Sequence, residues 1–393
     1  MNIFNSLGSN YSPRFVLSSI YQSDSKGRKK LTSLLENKYQ KHALLFYKGR
    51  SAITQALKEA NLEKNSAVAI NGFTCIAVVN AIKKADCIPV FLDINNTTLN
   101  FDTKTLEEHI KIGKIKAVII QNTLGFPCDI EGISKVCKKN NLILIEDLAH
   151  SIGTVYENGK EAGSIGDFAI LSFSQDKVID AVSGGALLSK RLPQFYKKDP
   201  YASKDPSFQD KLYPLSTFLI RKTYKSGVGK FLHACLKYTH LLSNPMKNNV
   251  FKDMSDWHAT LAVNEFEMLE AQIQHRHKIA NIYKKHIDTR IQFKGVSSSV
   301  ENSTCLRFPL KISERLEFFA FAKKKGLYIS DTWYDSPIAP NKFLDNSSYK
   351  AGECKNSENI SQQIINLPTH INVSENDALL ISEIINTWNT KQK

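Results

Sequence analysis

Residues 163–189, GSIGDFAILSFSQDKVIDAVSGGALLS, contain the pattern that points most directly to the fold. An apolar run typical of a buried strand, FAILSF, leads into a polar turn with Lys177, and Gly184 and Gly185 then open a second apolar run. Because glycine permits close approach of the backbone, we expect these two glycines to lie near a ligand. A single lysine in a loop is usually a solvated surface charge, and the turn alone favours that interpretation.

The segment upstream, LILIED (142–147), is an apolar run that ends in two acids. An unpaired carboxylate is costly to bury, so Asp147 at the carboxyl end of a buried strand needs a partner. Backbone N–H groups or a helix N-cap satisfy this need, and the strand alone favours that interpretation over a ligand contact by roughly two to one.

The same alternation of short apolar runs and longer amphipathic segments extends upstream to about residue 41. It predicts an α/β fold with a largely parallel sheet that is covered by helices on both faces. In such sheets, ligands bind at the carboxyl ends of the strands. The other runs predicted to be strands are ALLFY (43–47), SAVAI (66–70), CIPVFLDI (87–94) and AVIIQ (117–121). The predicted helices between the strands are 51–62, 76–85, 103–110 and 129–141.

This alternation stops between residues 190 and 250, where prolines and a basic, aromatic stretch (218–242) predict an insertion with one or two helices. One long helix is predicted from Ser255 to His286. The rest of the chain predicts a smaller α+β domain. We therefore expect a large domain with an N-terminal arm, 1–250, and a connecting helix with a small C-terminal domain, 251–393.

The chain has a formal net charge of +14, and this charge is unevenly distributed. Between Tyr196 and Lys252 there are many Lys and Arg, and the only acids are Asp199, Asp205 and Asp210. A basic face can bind nucleic acid, an anionic membrane or an anionic small substrate. The sequence shows no helix-turn-helix, zinc-finger or aromatic RNA-binding motif, so we expect no nucleic-acid partner.

The seven cysteines lack CxxC spacing, which predicts reduced thiols rather than a disulfide framework or a metal site. No apolar run reaches the roughly 18 residues that a membrane span needs. The N-terminal segment MNIFNSLGSNYSPRF has no basic region followed by an apolar core. We therefore expect no signal peptide and a cytoplasmic location.

Taken together, Lys177 and Asp147 suggest a cofactor site. A pyridoxal-phosphate site needs an amine for the Schiff base, a carboxylate for the pyridinium nitrogen and donors for the phosphate. The two residues supply the first two groups. The segment Gly49-Arg50-Ser51 opens a predicted helix, whose N–H groups and dipole suit a phosphate.

With these residues the chain resembles the DegT/DnrJ/EryC1/StrS family of pyridoxal-phosphate-dependent sugar aminotransferases. The resemblance covers nearly the whole chain and is weakest between residues 190 and 250. It implies a fold-type-I architecture with a mostly parallel seven-stranded sheet in the large domain. It also implies pyridoxal 5'-phosphate as the cofactor and a homodimer with a shared active site. The matching segments are GRSAI (49–53), FTCIAVVNAI (73–82), ADCIPVFLDI (85–94), TLNFD (98–102), IEDLAHSIG (145–153), GSIGDFAILSFSQDK (163–177), SGGALL (183–188) and INLPTHINVSENDALLISEI (365–384).

The resemblance implies a role for each site residue. Lys177 would hold the cofactor as the internal aldimine and shuttle the proton during transamination. Asp147 would pair with the pyridinium nitrogen, and His150 would contact the region of the ring hydroxyl, unless it is simply packed against the sheet. Ser172 would donate to the phosphate beside the turn at Arg50–Ser51.

Two positions depart from the family pattern. Many members place an aromatic ring on the cofactor face where this chain has Cys75, two residues after Phe73. In many members the partner subunit contributes an Asn to the phosphate, and the matching residue here is Asp253, whose carboxylate would repel a phosphate. Either Asn248 or Asn249 takes this role, or Lys252 compensates for the charge, or the correspondence with the family shifts after the insertion.

Related sugar dehydratases carry His in place of Lys177, so the lysine favours amino transfer. The expected reaction moves an amino group from an amino acid, with glutamate as the expected donor, to a nucleotide-linked keto-deoxy sugar, as in polysaccharide biosynthesis. The insertion and TWYDSPIAP (332–340) are expected to face the substrate.

Two alternatives to this function remain open. One is a lysine-dependent synthase that joins an amino acid to an acyl group. The other is a non-catalytic protein whose stretch 218–242 lies on an anionic membrane. The plainer interpretation of that stretch is an amphipathic helix packed on the domain.

Overall fold

The structure is a computed structural model that describes residues 2–22, 25–194, 205–243, 251–330 and 333–391. The β-strands of these residues are β1 (Ile3–Phe4), β2 (His42–Phe46), β3 (Ala67–Asn71), β4 (Thr74–Cys75), β5 (Ile88–Leu92), β6 (Ile115–Gln121), β7 (Ile143–Asp147), β8 (Phe168–Ser172), β9 (Gly185–Ser189), β10 (Arg307–Lys311), β11 (Leu327–Tyr328), β12 (Ile338–Ala339) and β13 (Ile364–Pro368). The α-helices are α1 (Pro13–Tyr21), α2 (Gly27–Tyr39), α3 (Gly49–Glu59), α4 (Ile76–Lys84), α5 (Thr103–Ile112), α6 (Ile130–Lys139), α7 (Phe208–Thr223), α8 (Val228–Tyr238), α9 (Asp256–Glu267), α10 (Leu269–His286), α11 (Lys294–Ser298), α12 (Arg315–Lys324), α13 (Lys355–Gln363) and α14 (Glu375–Lys391).

Seven strands form one sheet in the order β2-β9-β8-β7-β6-β3-β5. The strands from β8 to β5 pair in parallel, and β9 runs antiparallel to both of its neighbours. Each apolar run predicted to be a strand of this sheet lies in it. The predicted α/β fold with a mostly parallel seven-stranded sheet is therefore confirmed.

The topology brings the carboxyl ends of six of the seven strands to one edge of the sheet. Because β2 and β8 are both antiparallel to β9, β2 points the same way as β8. Gln121 and Asp147, the last residues of β6 and β7, are register partners, and Ser172 ends β8 next to them in the sheet. Beyond β2, the chain passes Lys48 and enters α3 at this same edge. A ligand site is expected at such an edge.

The two glycines predicted to approach a ligand have a different partner. A Cβ at Gly185 would lie 2.5 Å from the Cα of Gly49, so the glycine lets β9 pack against the first residue of α3. Gly184 has a φ of +141°, and a Cβ there would meet Met254 at 2.6 Å. The close neighbours of these two glycines are therefore protein atoms, and an approach to a ligand stays a prediction.

The C-terminal region surrounds the antiparallel pair β10–β13, with helix α14 packed against α10. The N-terminal segment joins it, since β1 pairs in parallel with β11 and the Asn5 side chain donates to the Asn366 carbonyl at 2.6 Å. The division into domains at residue 250 stays a prediction. None of the described helices is long and apolar enough to cross a membrane.

The helix predicted from Ser255 to His286 is interrupted at Met268. Ser255 caps α9 by accepting from the His258 N–H. At Met268 the N–H donates to the Glu265 carbonyl at 3.1 Å, an i→i−3 bond that tightens the turn and ends α9. The prediction of one continuous helix was wrong, and α10 begins at the next residue.

The buried Glu265 makes stability depend on pH. Burial raises its pKa to about 7, against opposing effects of the Gln272 hydrogen bond and the Arg276 charge. Between the ordinary pKa of 4.5 and about 7, the folded chain keeps a proton that the unfolded chain releases. Stability is therefore greatest below this range and falls as the pH rises through it.

Replacing Glu265 by glutamine should remove this dependence, because the amide is always neutral and its oxygen can still accept from Gln272. We expect the free energy of unfolding at about pH 8 to rise by roughly 3 kcal/mol, with little change at about pH 4. Urea denaturation at both pH values measures the effect. The exposed Glu267→Gln is the control, and a gain of equal size at both pH values would contradict the prediction.

Candidate active site

A pocket opens at the edge of the sheet where the strands end. Of the seven residues predicted to bind the cofactor, six line this pocket. These six are Arg50, Cys75, Asp147, His150, Ser172 and Lys177. The fold thus gathers residues that are up to 127 positions apart in the sequence into one site.

Lys177 lies in the turn after β8 and is half-buried in the pocket. The turn is held by its N–H bond to the Ser174 carbonyl at 3.3 Å and by Asn10, whose amide donates to the Lys177 carbonyl at 2.9 Å. Its Nζ lies 4.4 Å from the ring centroid of Trp333. Burial lowers the pKa of Lys177, while nearby Asp147 opposes this effect. The lysine is therefore not a solvated surface charge.

Asp147 ends β7 with only 5% of its surface exposed. Its Oδ1 accepts from the Ala149 N–H at 2.9 Å, so the expected bond to backbone is present. In the described part of the chain, Oδ2 makes no hydrogen bond and is left to meet a pocket ligand. Burial raises the pKa of Asp147, whereas the Ala149 bond and the Lys177 charge lower it.

His150 follows in the turn after β7 and packs between two elements of the pocket. Its ring stacks on Trp333 at 4.9 Å between centroids, and its Nδ1 lies 3.2 Å from the Leu124 N–H. Burial, together with the charges of Lys177 and Arg307, keeps the pKa of His150 well below its usual value. The imidazole is therefore neutral, and because Leu124 donates to Nδ1, the proton lies on Nε2.

The first turn of α3 forms another wall of the pocket. Gly49 and Arg50 line it, and a Cβ at Gly49 would lie 3.0 Å from the side chain of Ser172. Ser51 is buried behind this wall, where its N–H donates to the Lys48 carbonyl at 3.0 Å, and it is not among the lining residues. The helix start therefore meets the pocket through the two residues before Ser51.

Cys75 lines the pocket at the start of α4, where its Sγ accepts from the Ala77 N–H at 3.4 Å. Phe73 is fully buried and is not among the lining residues, but it stacks at 4.3 Å on Tyr334, which lines the pocket. Strand β12 pairs with Thr74 and Cys75 in β4. The segment expected to face the substrate is thus fastened to the strand that carries Cys75.

The lining residues that were not predicted to bind the cofactor include Gln121, Trp333 and Tyr334. Gln121 ends β6 and accepts from the Thr74 hydroxyl at 2.8 Å, and the rule for carboxyl ends of strands could have found it. Trp333 and Tyr334 belong to the segment expected to face the substrate, and the Tyr334 hydroxyl lies 3.3 Å from His150 Nδ1. No local pattern marks these two as partners of the sheet edge.

Asp253 is engaged within its own chain. It is buried, forms a bridge with Phe46, and its Oδ2 lies 2.9 Å from Nη2 of Arg28. The carboxylate is therefore neutralised rather than directed at a phosphate. Asn248 and Asn249, which were predicted to be able to replace it, lie outside the described residues.

GDP-perosamine synthase from Escherichia coli O157:H7 is 26% identical over 355 residues, which cover 90% of this chain and 87% of that protein. dTDP-3-amino-3,6-dideoxy-alpha-D-galactopyranose transaminase from Aneurinibacillus thermoaerophilus is 23% identical over 340 residues, 86% of this chain and 84% of that protein. The crystal structure of a DegT DnrJ EryC1 StrS aminotransferase from Brucella abortus has a TM-score of 0.73 at 19% identity and covers 98% of this chain and 99% of that one.

The family assignment rests on the sequence profile of the DegT/DnrJ/EryC1/StrS aminotransferase family, which matches residues 29–197 and 221–386. These two segments make up most of the chain and include every residue that lines the pocket. The expected enzyme class, a transaminase, and the expected cofactor, pyridoxal phosphate, are confirmed with it. The chain belongs to the DegT/DnrJ/EryC1/StrS aminotransferase family.

Proposed function

We propose that this aminotransferase takes an amino group from an amino acid, with glutamate as the expected donor, and passes it to the keto group of a nucleotide-linked keto-deoxy sugar. The observation that carries the proposal is a single pocket with the Lys177 amine, the Asp147 carboxylate and the start of α3 in its walls. An amine, a carboxylate and a helix N-terminus are the three groups that a pyridoxal-phosphate enzyme needs.

The residues of the pocket fit this cofactor. Asp147 has one oxygen available for the pyridinium nitrogen, since only Oδ1 is bound to backbone. At the other end, Gly49 lets the helix start lie against Ser172, so that the first N–H groups of α3, the Ser172 hydroxyl and Arg50 can bind a phosphate together. Pyridoxal phosphate, when bound, acts as an electron sink for bond cleavage at the amino carbon of the substrate.

Lys177 would hold the cofactor and move the proton. Burial lowers its pKa, which increases the fraction of neutral amine that can attack a carbonyl or accept a proton. The carboxylate of Asp147 opposes this shift and favours the protonated amine. The turn at Ser174 and the bond from Asn10 fix the backbone from which the side chain reaches.

His150 would orient the ring of the cofactor. With Nδ1 occupied by the Leu124 N–H, the neutral imidazole can only donate from Nε2. A donor at this place suits the oxygen of a ring hydroxyl, as the resemblance implies. The stacked Trp333 keeps the imidazole plane fixed, and it supplies an aromatic surface in the pocket where Cys75 replaces the usual ring.

The acceptor is proposed from the relatives and from charge. Two relatives are named for GDP-linked and dTDP-linked amino sugars. Lys48 and Arg50 line the pocket, and the chain as a whole has a net charge of +14, so a diphosphate group would be attracted. We further propose that the protein acts in the cytoplasm as a homodimer whose partner subunit completes the active site.

The test is the absorbance of the purified protein after addition of pyridoxal phosphate. We expect a near-visible band that shifts when glutamate is added and returns when a GDP-linked or dTDP-linked keto-deoxy sugar follows. The same sugar without its nucleotide is the control for the acceptor and should not restore the band.

Each negative result has a definite meaning. If no band forms after the cofactor is added, the proposal is overturned. If the band forms but glutamate and other amino acids leave it unchanged until an acyl donor is present, the acyl-joining synthase replaces the aminotransferase. A band restored equally by free keto sugars would overturn the nucleotide-linked acceptor alone.

A further inference from the structure

Helices α7 and α8 form a hairpin, residues 208–238, that is firmly attached to the protein on its inner side. Tyr213, Thr217 and Ile220 of α7 are buried, and the helix packs against α1. A Cβ at Gly229 would lie 2.2 Å from the Ile220 carbonyl oxygen, so the start of α8 lies in close contact with the end of α7. The hairpin therefore has a fixed outer face.

That outer face carries large apolar side chains in solvent. On α8, Phe231 is 73% exposed and Tyr238, seven residues later on the same side of the helix, is 87% exposed. On α7, Phe208, Leu215 and Leu219 recur at helical spacing opposite the buried residues and are 67%, 36% and 42% exposed. A row of exposed apolar groups of this length marks a contact surface.

The charges on this face have one sign. Its exposed basic residues are Lys211, Lys222, Lys225, Lys230 and Lys237. The acids between residues 205 and 243 are Asp205, which is exposed ahead of α7, and Asp210. Asp210 is buried and accepts from the Tyr47 hydroxyl at 2.9 Å, so it does not offset the lysines at the surface. The occupant of the face must therefore be anionic.

A second copy of the chain does not suit this face. A symmetric contact would bring the same lysine-rich patch of both copies together, and like charges at close range are unfavourable. The family profile also leaves out residues 198–220, which include most of α7. No residue of the hairpin lines the pocket of the active site.

We propose that the outer face of the hairpin binds the anionic surface of a lipid bilayer. Phe231 and Tyr238 would enter the interfacial layer, where aromatic side chains are favoured. Lys230 and Lys237 flank them on α8, and their flexible stems let the ammonium groups reach lipid phosphates while the methylene groups stay on the apolar side. A bilayer offers anionic headgroups and an apolar layer beneath them over a broad area. It can therefore contact both the lysines and the apolar side chains without a complementary shape, which a protein partner would need.

The test is flotation of the full-length holoenzyme with vesicles. We expect binding to vesicles of phosphatidylglycerol and phosphatidylcholine, weak binding to phosphatidylcholine alone, and loss of binding as salt is raised. Each lysine near an anionic surface contributes about fivefold to binding, so K230E/K237E should bind about 30-fold less or weaker still. F231S/Y238S should also lose binding, through the apolar contact.

Control variants on other surfaces show whether the loss of vesicle binding is specific to the hairpin or follows from any change of net charge or apolar surface. K138E/K139E on α6 has the same change in net charge, and I112S removes an apolar side chain on α5 that is 88% exposed. Both should bind vesicles like the unmodified enzyme. In every variant, the absorbance change with glutamate should be retained, because the hairpin lies outside the pocket.

Three outcomes would overturn the proposal. The first is an enzyme that does not float with anionic vesicles at low salt. The second is hairpin variants that bind as well as K138E/K139E. The third is an unmodified enzyme that does not bind vesicles, together with an F231S/Y238S variant whose molar mass in light scattering differs from that of the unmodified enzyme. That result would show that the face is a contact between copies of the chain.

Discussion

Replacing Lys177 by alanine is expected to abolish the near-visible band and to slow amino transfer by about 10⁴-fold or more. Proton transfer by a positioned base alone contributes about 10²–10⁴-fold, and the same amine also supplies the covalent attachment. Since the side chain meets the pocket and Trp333, its removal should leave the fold intact. Single-turnover absorbance after addition of glutamate measures the rate.

Borohydride reduction identifies the attachment residue independently of rate. In the unmodified enzyme we expect the cofactor to be fixed to the peptide that contains Lys177, and in the variant to none. Lys190→Ala is the control, because this exposed lysine bonds only to the Ile165 carbonyl in the described structure, at 2.9 Å. Label on Lys48, the second lysine of the pocket, would show that Lys177 is not the attachment residue.

The sequence could predict those site residues that lie at or just beyond the carboxyl ends of strands. Asp147 ends one parallel strand and Ser172 ends the next, and the carboxyl ends of parallel strands must meet at one edge. Gly49 and Arg50 follow β2, which points the same way. Alternating apolar runs therefore predict that Asp147 and Ser172 lie at one edge, whereas the direction of β2 follows from its antiparallel pairing with β9.

The remaining part depends on contacts between distant segments that leave no local pattern. Trp333 reaches the pocket because β12 pairs with β4. These two strands have only two residues each and lie far apart in the sequence, so their pairing leaves no periodic pattern. Gly185 looked like a ligand contact, but glycine fits any close neighbour, and here the neighbour is Gly49. Likewise, the break at Met268 depends on a single tightened turn within an otherwise helical pattern.

The pocket also shows how two opposite charges depend on each other. Asp147 is one of the charges that raise the pKa of Lys177, and the lysine in turn lowers the pKa of Asp147. Burial acts on both groups in the opposite sense, towards their neutral forms. A change at one residue therefore has an expected effect on the other, which makes the carboxylate the second residue to test.

Asp147→Asn should keep the fold and lower the rate of amino transfer by about 10²–10⁴-fold. The amide oxygen can still accept from the Ala149 N–H, and the volume is unchanged, so only the negative charge is lost. Without that charge, a pyridinium nitrogen loses its proton more easily and the ring withdraws electrons less well. The pKa of Lys177 should also fall further, because Asp147 is one of the charges that raise it.

The rate should be measured in single turnovers with glutamate, together with the free energy of unfolding and the affinity for the cofactor. Asp167→Asn is the matched control, because its Oδ2 accepts from the Leu144 N–H at 2.9 Å near the other end of β7, away from the pocket. It should transfer amino groups at the unmodified rate. If Asp147→Asn also stays within about threefold of that rate, the carboxylate serves only to bind the backbone, since no ionic contact with a ring would then contribute to the reaction.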